Sequence, residues 1–247
     1  MSVRIAFIEE LEMPDTEVDI VMHLPKPGVE SETKAGPESE PKPGPKSGPE
    51  ADPDYPLRIR AFVRQTKCRL VSAPYLADNS VEMAWISPEG EMLQRSCFPD
   101  AGFRPGDDVT VFSTVFGKVA LCCDADIFQP QYARLAALRG CRLLLAATSR
   151  IRVGCRLPDP GELLLGGEGA LFLAGPWASA QANGIAIAFA GAGGGQLILP
   201  CAATEDNSGL GKAEVDWDDL AKATKEFPVF GCMNPPLYKR YRKELGV

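Results

Sequence analysis

The chain has 247 residues, of which 45% are apolar and 24% charged, and its formal net charge is −7. This composition predicts one globular domain spanning residues 1–247 with a sizeable core. The acidic balance argues against a nucleic-acid or membrane partner, because both need clustered Lys and Arg. We expect no basic cluster other than the tail KRYRKE (Lys239 to Glu244), which a solvated C-terminal helix explains.

The sequence also restricts the cellular compartment and the metals and cofactors that we expect for this protein. No apolar run reaches the roughly 18 residues of a membrane span, and acidic residues follow the first apolar positions too soon for a signal peptide. We therefore expect a cytoplasmic protein in which most of the eight cysteines are reduced. The cysteines form no CxxC pair and the one histidine is His23, so we expect no metal site. The glycine-rich stretches contain no complete GxGxxG, so we expect no cofactor.

The first quarter of the chain contains two short strands and an insertion. VRIAFIE (Val3 to Glu9) and VDIVMHL (Val18 to Leu24) are apolar, β-rich runs. From Lys26 to Pro56 the chain is rich in Pro, Gly, Glu, Lys and Ser and has almost no apolar side chain to bury. This composition predicts a flexible loop, residues 26–56, that interrupts the domain.

The next stretch predicts a helix and a hairpin. LRIRAFVRQTK (Leu57 to Lys67) places Leu57, Ala61 and Arg64 at helical spacing. After the run CRLVSAPYL, the stretch VEMAWISPEGEMLQRS alternates around a Pro-Glu-Gly turn, which indicates a β-hairpin.

The second half predicts alternating strands and helices. A strand at Val109 to Phe112 is followed by the strand KVALCC, the helix QPQYARLAALRG with Gly140 as its C-cap, and the strand RLLLAA, which together form a βαβ unit. A short helix GPWASAQANG closed by Gly184 follows, with strands IAIAFAG, QLILP and KAEVDW and a helix DDLAKATKEF capped by Asp218. The order predicts an α/β architecture with strands buried under helices.

In order and spacing, these elements resemble the nitrilase, or carbon–nitrogen hydrolase, superfamily over nearly the whole chain. The similar stretches are SVRIAFIE, VDIVMHLP, SPEGEMLQR, FGKVALCCDADIFQP, AQANGIAIAFAG and VDWDDLAKATKEFPVF. The resemblance implies an αββα sandwich. One family helix is missing near the N-terminus, where only LEMPDTE separates the first two strands.

The resemblance also implies where a Glu-Lys-Cys triad would lie. The family pattern runs from a Gly-Lys turn through a strand to the cysteine, then to an aspartate and a proline. Gly117-Lys118 matches its beginning, and Asp126 with Pro130 matches its end, which puts Asp124 at the cysteine position. Cys122 and Cys123 then lie on the preceding strand, where alternation turns at least one of them into the core.

The other two triad positions are also substituted. The glutamate that would act as general base corresponds to Pro25 or Lys26, and the lysine that would stabilise the oxyanion corresponds to Phe98. The resemblance therefore implies a degenerate member without catalytic residues. We expect an inactive binding or structural partner that forms a homodimer or a heteromer with an active paralogue.

Two alternatives remain open. In the first, the alignment shifts by one or two residues, and the chain is an active thiol-dependent amidohydrolase of the amidase type, acting on a C–N bond with Cys123 or Cys122 as nucleophile. In the second, the adjacent pair Cys122-Cys123 has a redox role, which would need both thiols to be accessible to solvent.

A buried carboxylate without a partner is costly, so the environment of Asp124 is a further expectation. Lys26, His23 or the N-terminus of the helix that begins near Gln129 is expected to hold Asp124. The ring of Phe98 is expected to close the former pocket, leaving no room for a substrate amide.

Overall fold

The structure is a computed structural model that describes residues 2–8, 11, 17–24, 54–99, 102–152, 168–192, 194–200 and 212–226. The strands are β1 (Ser2–Ile8), β2 (Ile20–His23), β3 (Leu70–Val71), β4 (Tyr75–Ala77), β5 (Ser80–Ser87), β6 (Gly90–Arg95), β7 (Val111–Thr114), β8 (Gly117–Cys123), β9 (Leu143–Arg152), β10 (Ala186–Ala192), β11 (Gly194–Ile198) and β12 (Lys212–Asp216). The helices are α1 (Tyr55–Thr66), α2 (Pro130–Leu138), α3 (Glu168–Asn183) and α4 (Trp217–Glu226), and a 3₁₀ helix spans Asp124–Phe128.

The strands form two mixed sheets. In the first sheet the order is β12-β1-β2-β3-β5-β4, with β6 also paired to β5. In the second sheet the order is β11-β10-β9-β8-β7, with β8, β9 and β10 parallel to one another. Parallel strands need a crossover connection, and α2 supplies it between β8 and β9.

The sheets pack face to face with helices on both outer faces. Alternate residues of β1, β2 and β5 meet alternate residues of β8, β9 and β10 in the largest buried cluster, between the two sheets. Residues of α1 pack on the outer face of the first sheet, and residues of α2 and α3 pack on the outer face of the second sheet. These four layers form the αββα sandwich expected from the sequence.

Most predicted elements of the second half are confirmed. The unit β8–α2–β9 is present, and Gly140, with a φ of 88°, follows the end of α2. The hairpins β5–β6 and β10–β11 are antiparallel, as expected. Gly184, with a φ of 61°, follows α3, which begins earlier in the chain than predicted, at Glu168.

Three details differ from the predictions. The helix α1 begins at Tyr55 and buries Tyr55, Ile59 and Val63, so the predicted stripe that starts at Leu57 lies on the opposite side. The N-terminus of α4 is capped by Asp216, whose carboxylate accepts the N–H groups of Asp218 and Asp219, and not by Asp218.

The third difference is a hairpin that was not predicted, between β4 and β5. Its two-residue loop, Asp78-Asn79, has φ values of 45° and 62°. Such left-handed pairs turn a chain between twisted antiparallel strands, and Asp and Asn tolerate this conformation better than most residues.

Several expectations lie outside the described residues. These are most of the segment between β1 and β2, where the family helix is expected to be missing, residues 26–53 of the predicted loop, and the basic tail. The end of the predicted loop needs a correction, because Tyr55 and Pro56 already belong to α1. Among the described helices, none combines the length and the apolar character that crossing a membrane would require.

Candidate functional site

The candidate site lies where β8 ends. Successive side chains of a strand point to opposite faces, so the last two residues of β8 enter different cores. The side chain of Cys123 packs between the two sheets, and that of Cys122 packs under α2 and α3. Both cysteines are fully buried, which confirms the expectation that at least one of them would be.

Neither thiol has the environment of a nucleophile. Burial, followed by the nearby charge of Asp126, raises the pKa of Cys122 and Cys123 well above the ordinary value of a cysteine. Among the described residues, no carboxylate, lysine or histidine side chain makes a hydrogen bond to either sulfur. Both groups therefore remain neutral thiols at pH 7.

Asp124 forms the turn between β8 and the 3₁₀ helix. Its φ is 51°, in the left-handed region that few residues other than glycine adopt, although aspartate does so more readily than most. The side chain is 1% exposed. The chain therefore makes a sharp, buried elbow at the position that the family resemblance assigns to the cysteine.

Thr148 is the described partner of Asp124. In the parallel pair β8–β9, Cys123 is opposite Ala147, so the next residues along the two strands, Asp124 and Thr148, also lie side by side. The Thr148 hydroxyl donates a hydrogen bond to Asp124 Oδ1 at 3.0 Å, and Thr148 is fully buried. The register of two neighbouring strands thus supplies the donor that a buried carboxylate needs.

Asp126 is a second buried carboxylate, two residues further along. It accepts hydrogen bonds from the Ser96 hydroxyl at 2.8 Å, from the Cys97 N–H at 2.9 Å and from the Phe98 N–H at 2.8 Å. These donors follow β6 of the first sheet, whereas Asp126 follows β8 of the second. The carboxylate therefore links the two sheets beside the elbow.

Burial raises the pKa of the Asp126 carboxyl to about 6. The hydrogen bonds from Cys97, Phe98 and Ser96 act in the opposite direction and lower the pKa, and the neighbouring charge of Asp124 raises it. The charged form of Asp126 is the costly form, even with three donors.

The remaining triad positions implied by the resemblance are Phe98 and either Pro25 or Lys26. The backbone N–H of Phe98 donates a hydrogen bond to Asp126, two residues beyond Asp124. Phe98 is 43% exposed and lies at the surface, and the closure of the former pocket by its ring stays a prediction. Pro25 and Lys26 lie outside the described residues.

His23 is not the residue that holds Asp124 in the described part of the chain. Alternation along β2 turns Met22 toward the second sheet and His23 toward α1, where His23 Nδ1 lies 2.8 Å from the Tyr55 hydroxyl. Tyr55 also accepts the N–H of Ala73 at 2.9 Å. Asp124 begins the 3₁₀ helix that precedes α2, and the expected interaction of its carboxylate with the N-terminus of α2 stays a prediction.

Thr148 was missed by sequence reasoning, although a signal for it exists. The runs VALCCD and LLLAAT both place a polar residue directly after five apolar residues, and the parallel pairing aligns those ends.

Among the described residues, no group of three His, Cys, Asp or Glu side chains is arranged to hold a metal ion.

Comparisons with known proteins identify the fold. No protein-family model and no curated protein matches the sequence. Solved structures do match, among them Nit3 of Saccharomyces cerevisiae, a member of the nitrilase superfamily, with a TM-score of 0.62 and 13% identity over 92% of this chain and 95% of that chain. The chain has the nitrilase fold.

Two further structures with this fold are similar. A carbon–nitrogen hydrolase from Helicobacter pylori has a TM-score of 0.63 and 15% identity, covering 90% of this chain and 85% of that chain. A cysteine-to-alanine variant of an amidase from Nesterenkonia has a TM-score of 0.61 and 18% identity, with 97% of each chain covered. The similarity extends over almost the full length of the nitrilase fold, which confirms the expected fold class.

The burial of the thiols leads to a labelling prediction. Treatment of the native protein with iodoacetamide should leave Cys122 and Cys123 unmodified, because both sulfurs are buried and protonated. Peptide mapping by mass spectrometry measures the modification of each cysteine. The same peptides from urea-unfolded protein serve as the control and should be fully modified. Rapid stoichiometric modification of either residue in the native protein would contradict the buried assignment.

The raised pKa of Asp126 leads to a pH prediction. Because the folded pKa of about 6 exceeds the unfolded value near 3.8, the folded state binds this proton more tightly, and stability from this group falls as the pH rises through that window. An Asp126→Asn variant does not titrate there. We expect the difference in unfolding free energy, wild type minus variant, to decrease by roughly 2 kcal/mol between pH 4 and pH 7.

Urea unfolding of both proteins at several pH values measures this difference. The amide of the Asp126→Asn variant would also present an N–H group to the N–H of Cys97, which lowers the stability of the variant by about 1–3 kcal/mol at every pH. This constant cost cancels in the pH dependence. A free-energy difference that does not change from pH 4 to pH 7 would show that Asp126 titrates in its usual range.

Proposed function

We propose that this chain is a catalytically inactive protein with the nitrilase fold that acts as a binding or structural partner. One observation carries the proposal: Asp124 occupies the elbow after β8 and is hydrogen-bonded to Thr148, while both cysteines before it are buried in two separate cores. An acidic, bonded side chain thus lies where this fold would place a thiol nucleophile.

The chemistry of amide or nitrile cleavage supports this proposal. Attack on the carbon needs a thiolate, a base that moves protons, and a cation or donor facing the developing oxyanion. A carboxylate at Asp124 is a poor nucleophile toward an amide, and Phe98 has no charge to offer an oxyanion. Since loss of one oxyanion donor costs about 10²–10³ in rate, loss of the nucleophile and the cation together leaves no useful turnover.

The environment of the two thiols does not favour the alternative, an active amidohydrolase with Cys123 or Cys122 as nucleophile. Burial keeps both groups protonated, and a substrate carbonyl would have to enter a packed core to reach either sulfur. The five described cysteines are all free thiols, in agreement with a reducing, cytoplasmic location as part of this proposal.

The helix layer on the second sheet supports the proposed assembly. Leu135 and Leu138 of α2 and Trp177 of α3 are 45%, 56% and 42% exposed. The helices α2 and α3 pack against each other, so these large apolar side chains belong to one layer. Large apolar side chains that lie together at the surface are a feature of protein interfaces. We propose that this layer forms a homodimer or a heteromer with an active paralogue.

An activity assay tests the proposed inactivity. Purified protein incubated with a panel of aliphatic and aromatic amides and nitriles should release ammonia no faster than enzyme-free buffer, because the proposal puts Asp124 at the position of the nucleophile and Phe98 at that of the oxyanion-stabilising lysine. The Nesterenkonia amidase serves as the positive control under the same conditions. Turnover that disappears in Cys123→Ala or Cys122→Ala would contradict inactivity and support the alternative.

The assembly is tested by sedimentation velocity. We expect wild type to sediment as a dimer at micromolar concentration and a Leu138→Glu/Trp177→Glu variant as a monomer, because a carboxylate in an apolar interface loses its hydration. The control is Val115→Glu, at a side chain that is 69% exposed in the turn between β7 and β8. A wild-type monomer, or an equal effect of the control, would exclude the homodimer through this layer.

A further inference from the structure

The outer face of α1 concentrates positive charge in an acidic protein. Between Leu57 and Arg69 the sequence has five basic residues and no acidic one, whereas the whole chain has a net charge of −7. The five are Arg58, Arg60, Arg64, Lys67 and Arg69. The expectation of no basic cluster other than the C-terminal tail is therefore wrong.

Two of these five residues are neutralised within the fold. Arg60 makes a forked ion pair with Glu91, with N···O distances of 2.7 and 2.9 Å, and Arg69 lies 2.8 Å from Glu89. Both acidic partners belong to the β5–β6 hairpin of the first sheet. The pair of Arg60 links α1 to this hairpin, and the pair of Arg69 links the residues after α1 to it.

The outer face combines cations with an apolar strip. Leu57, which is 62% exposed, and Ala61 lie one turn apart on the exposed side of α1. At 100° per residue, Arg64 lies on one side of this strip and Arg58 on the other, and Lys67 follows at the exposed C-cap. Arg64 and Lys67 make no ion pair with any described residue. We call the residues Leu57, Arg58, Ala61, Arg64 and Lys67 the basic face.

We propose that the basic face of α1 binds an acidic peptide segment of a partner protein. Two carboxylates of such a segment would meet Arg64 and Lys67, and an apolar side chain between them would cover Leu57. Guanidinium and carboxylate groups match in geometry and charge, and the apolar contact adds affinity that charge alone does not give. Charge complementarity on an otherwise acidic surface selects this partner over a neutral one.

Other anionic partners fit the basic face less well. Nucleic-acid binding depends on many phosphate contacts, and Arg64 and Lys67 provide few, while the net charge of −7 repels a polyanion at long range. Each basic residue near an anionic lipid surface contributes only about 1 kcal/mol, so these two cations give weak membrane binding. A short acidic peptide is small enough to avoid the negative charge elsewhere on the protein.

The basic face is distant from the proposed dimer layer. It lies on the outer side of the first sheet, and α2 and α3 lie on the outer side of the second sheet, with both sheets in between. A dimer formed through α2 and α3 would therefore present two basic faces to partners, and their binding would gain from avidity. Because the faces are separate, failure of the dimer and failure of peptide binding are distinguishable.

Fluorescence anisotropy with a defined probe tests the inference. The probe is a fluorescein-labelled peptide with two glutamates on each side of a Leu-Leu pair, and the matched peptide has glutamine in place of each glutamate. We expect the acidic peptide to bind full-length protein with at least about tenfold higher affinity than the glutamine peptide, and salt to weaken this binding.

Charge-reversal variants locate the binding site. Arg64→Glu/Lys67→Glu should raise the Kd for the acidic peptide at least about tenfold. The control, Lys222→Glu/Lys225→Glu, reverses two exposed lysines of α4 and changes the net charge by the same amount. We expect it to bind as wild type does. If the first variant does not fold, as judged by thermal unfolding, Arg64→Gln/Lys67→Gln replaces it with Lys222→Gln/Lys225→Gln as control.

Several results would overturn the inference. One is the absence of acidic-peptide binding, and another is an equal loss of affinity in the α4 control, which would indicate a non-specific charge effect. Tighter binding of a single-stranded oligonucleotide or of phosphatidylserine vesicles, lost in the α1 variant, would assign the basic face to a different class of partner.

Discussion

Side chains along β8 alternate between two buried faces, and the backbone of the strand imposes this alternation whatever the residues are. It sends Cys123 between the sheets and Cys122 under the helices, so the strand removes both thiols from solvent. The parallel register with β9 then sets Thr148 beside Asp124. The chemistry available at the elbow follows from these two constraints, the strand period and the register.

The two aspartates after β8 show how a polar group is kept inside this fold. Each is almost fully buried, and each is held by donors from a different part of the chain. Asp124 depends on a side chain of the neighbouring strand, and Asp126 depends mainly on backbone N–H groups that follow β6. A hydrogen-bonded carboxylate in each position stiffens the region where a catalytic pocket would need space and mobile protons.

Local patterns predicted the elements that depend on local forces. The βαβ unit around α2 and the hairpin β5–β6 follow from periodicity, from turn residues and from Gly140. Periodicity did not determine which side of α1 is buried, because Leu57 and Tyr55 both fit a helical stripe and only packing on the sheet selects Tyr55. The cap of α4 was misplaced by two residues, since Asp216 and Asp218 both suit that position.

Contacts distant in sequence were the least predictable part of the site. The sequence places His23 and Asp124 at the ends of two strands, but it does not state which face each end presents. The structure turns His23 toward Tyr55 and gives Asp124 the hydroxyl of Thr148. The assignment of Phe98 to the family's lysine position follows from the resemblance to the nitrilase superfamily alone and stays a prediction. The structure shows that the N–H of Phe98 donates to Asp126.

The contact between His23 and Tyr55 has a consequence for how this chain can vary in length. It joins the last residue of β2 to the first residue of α1, so it closes the base of the segment between them. The entropy lost on closing a loop grows only with the logarithm of its length, about 0.6 kcal/mol for each doubling. We therefore expect a change in the number of residues between His23 and Tyr55 to cost little stability, because their contact sets the relative position of the two elements that it joins.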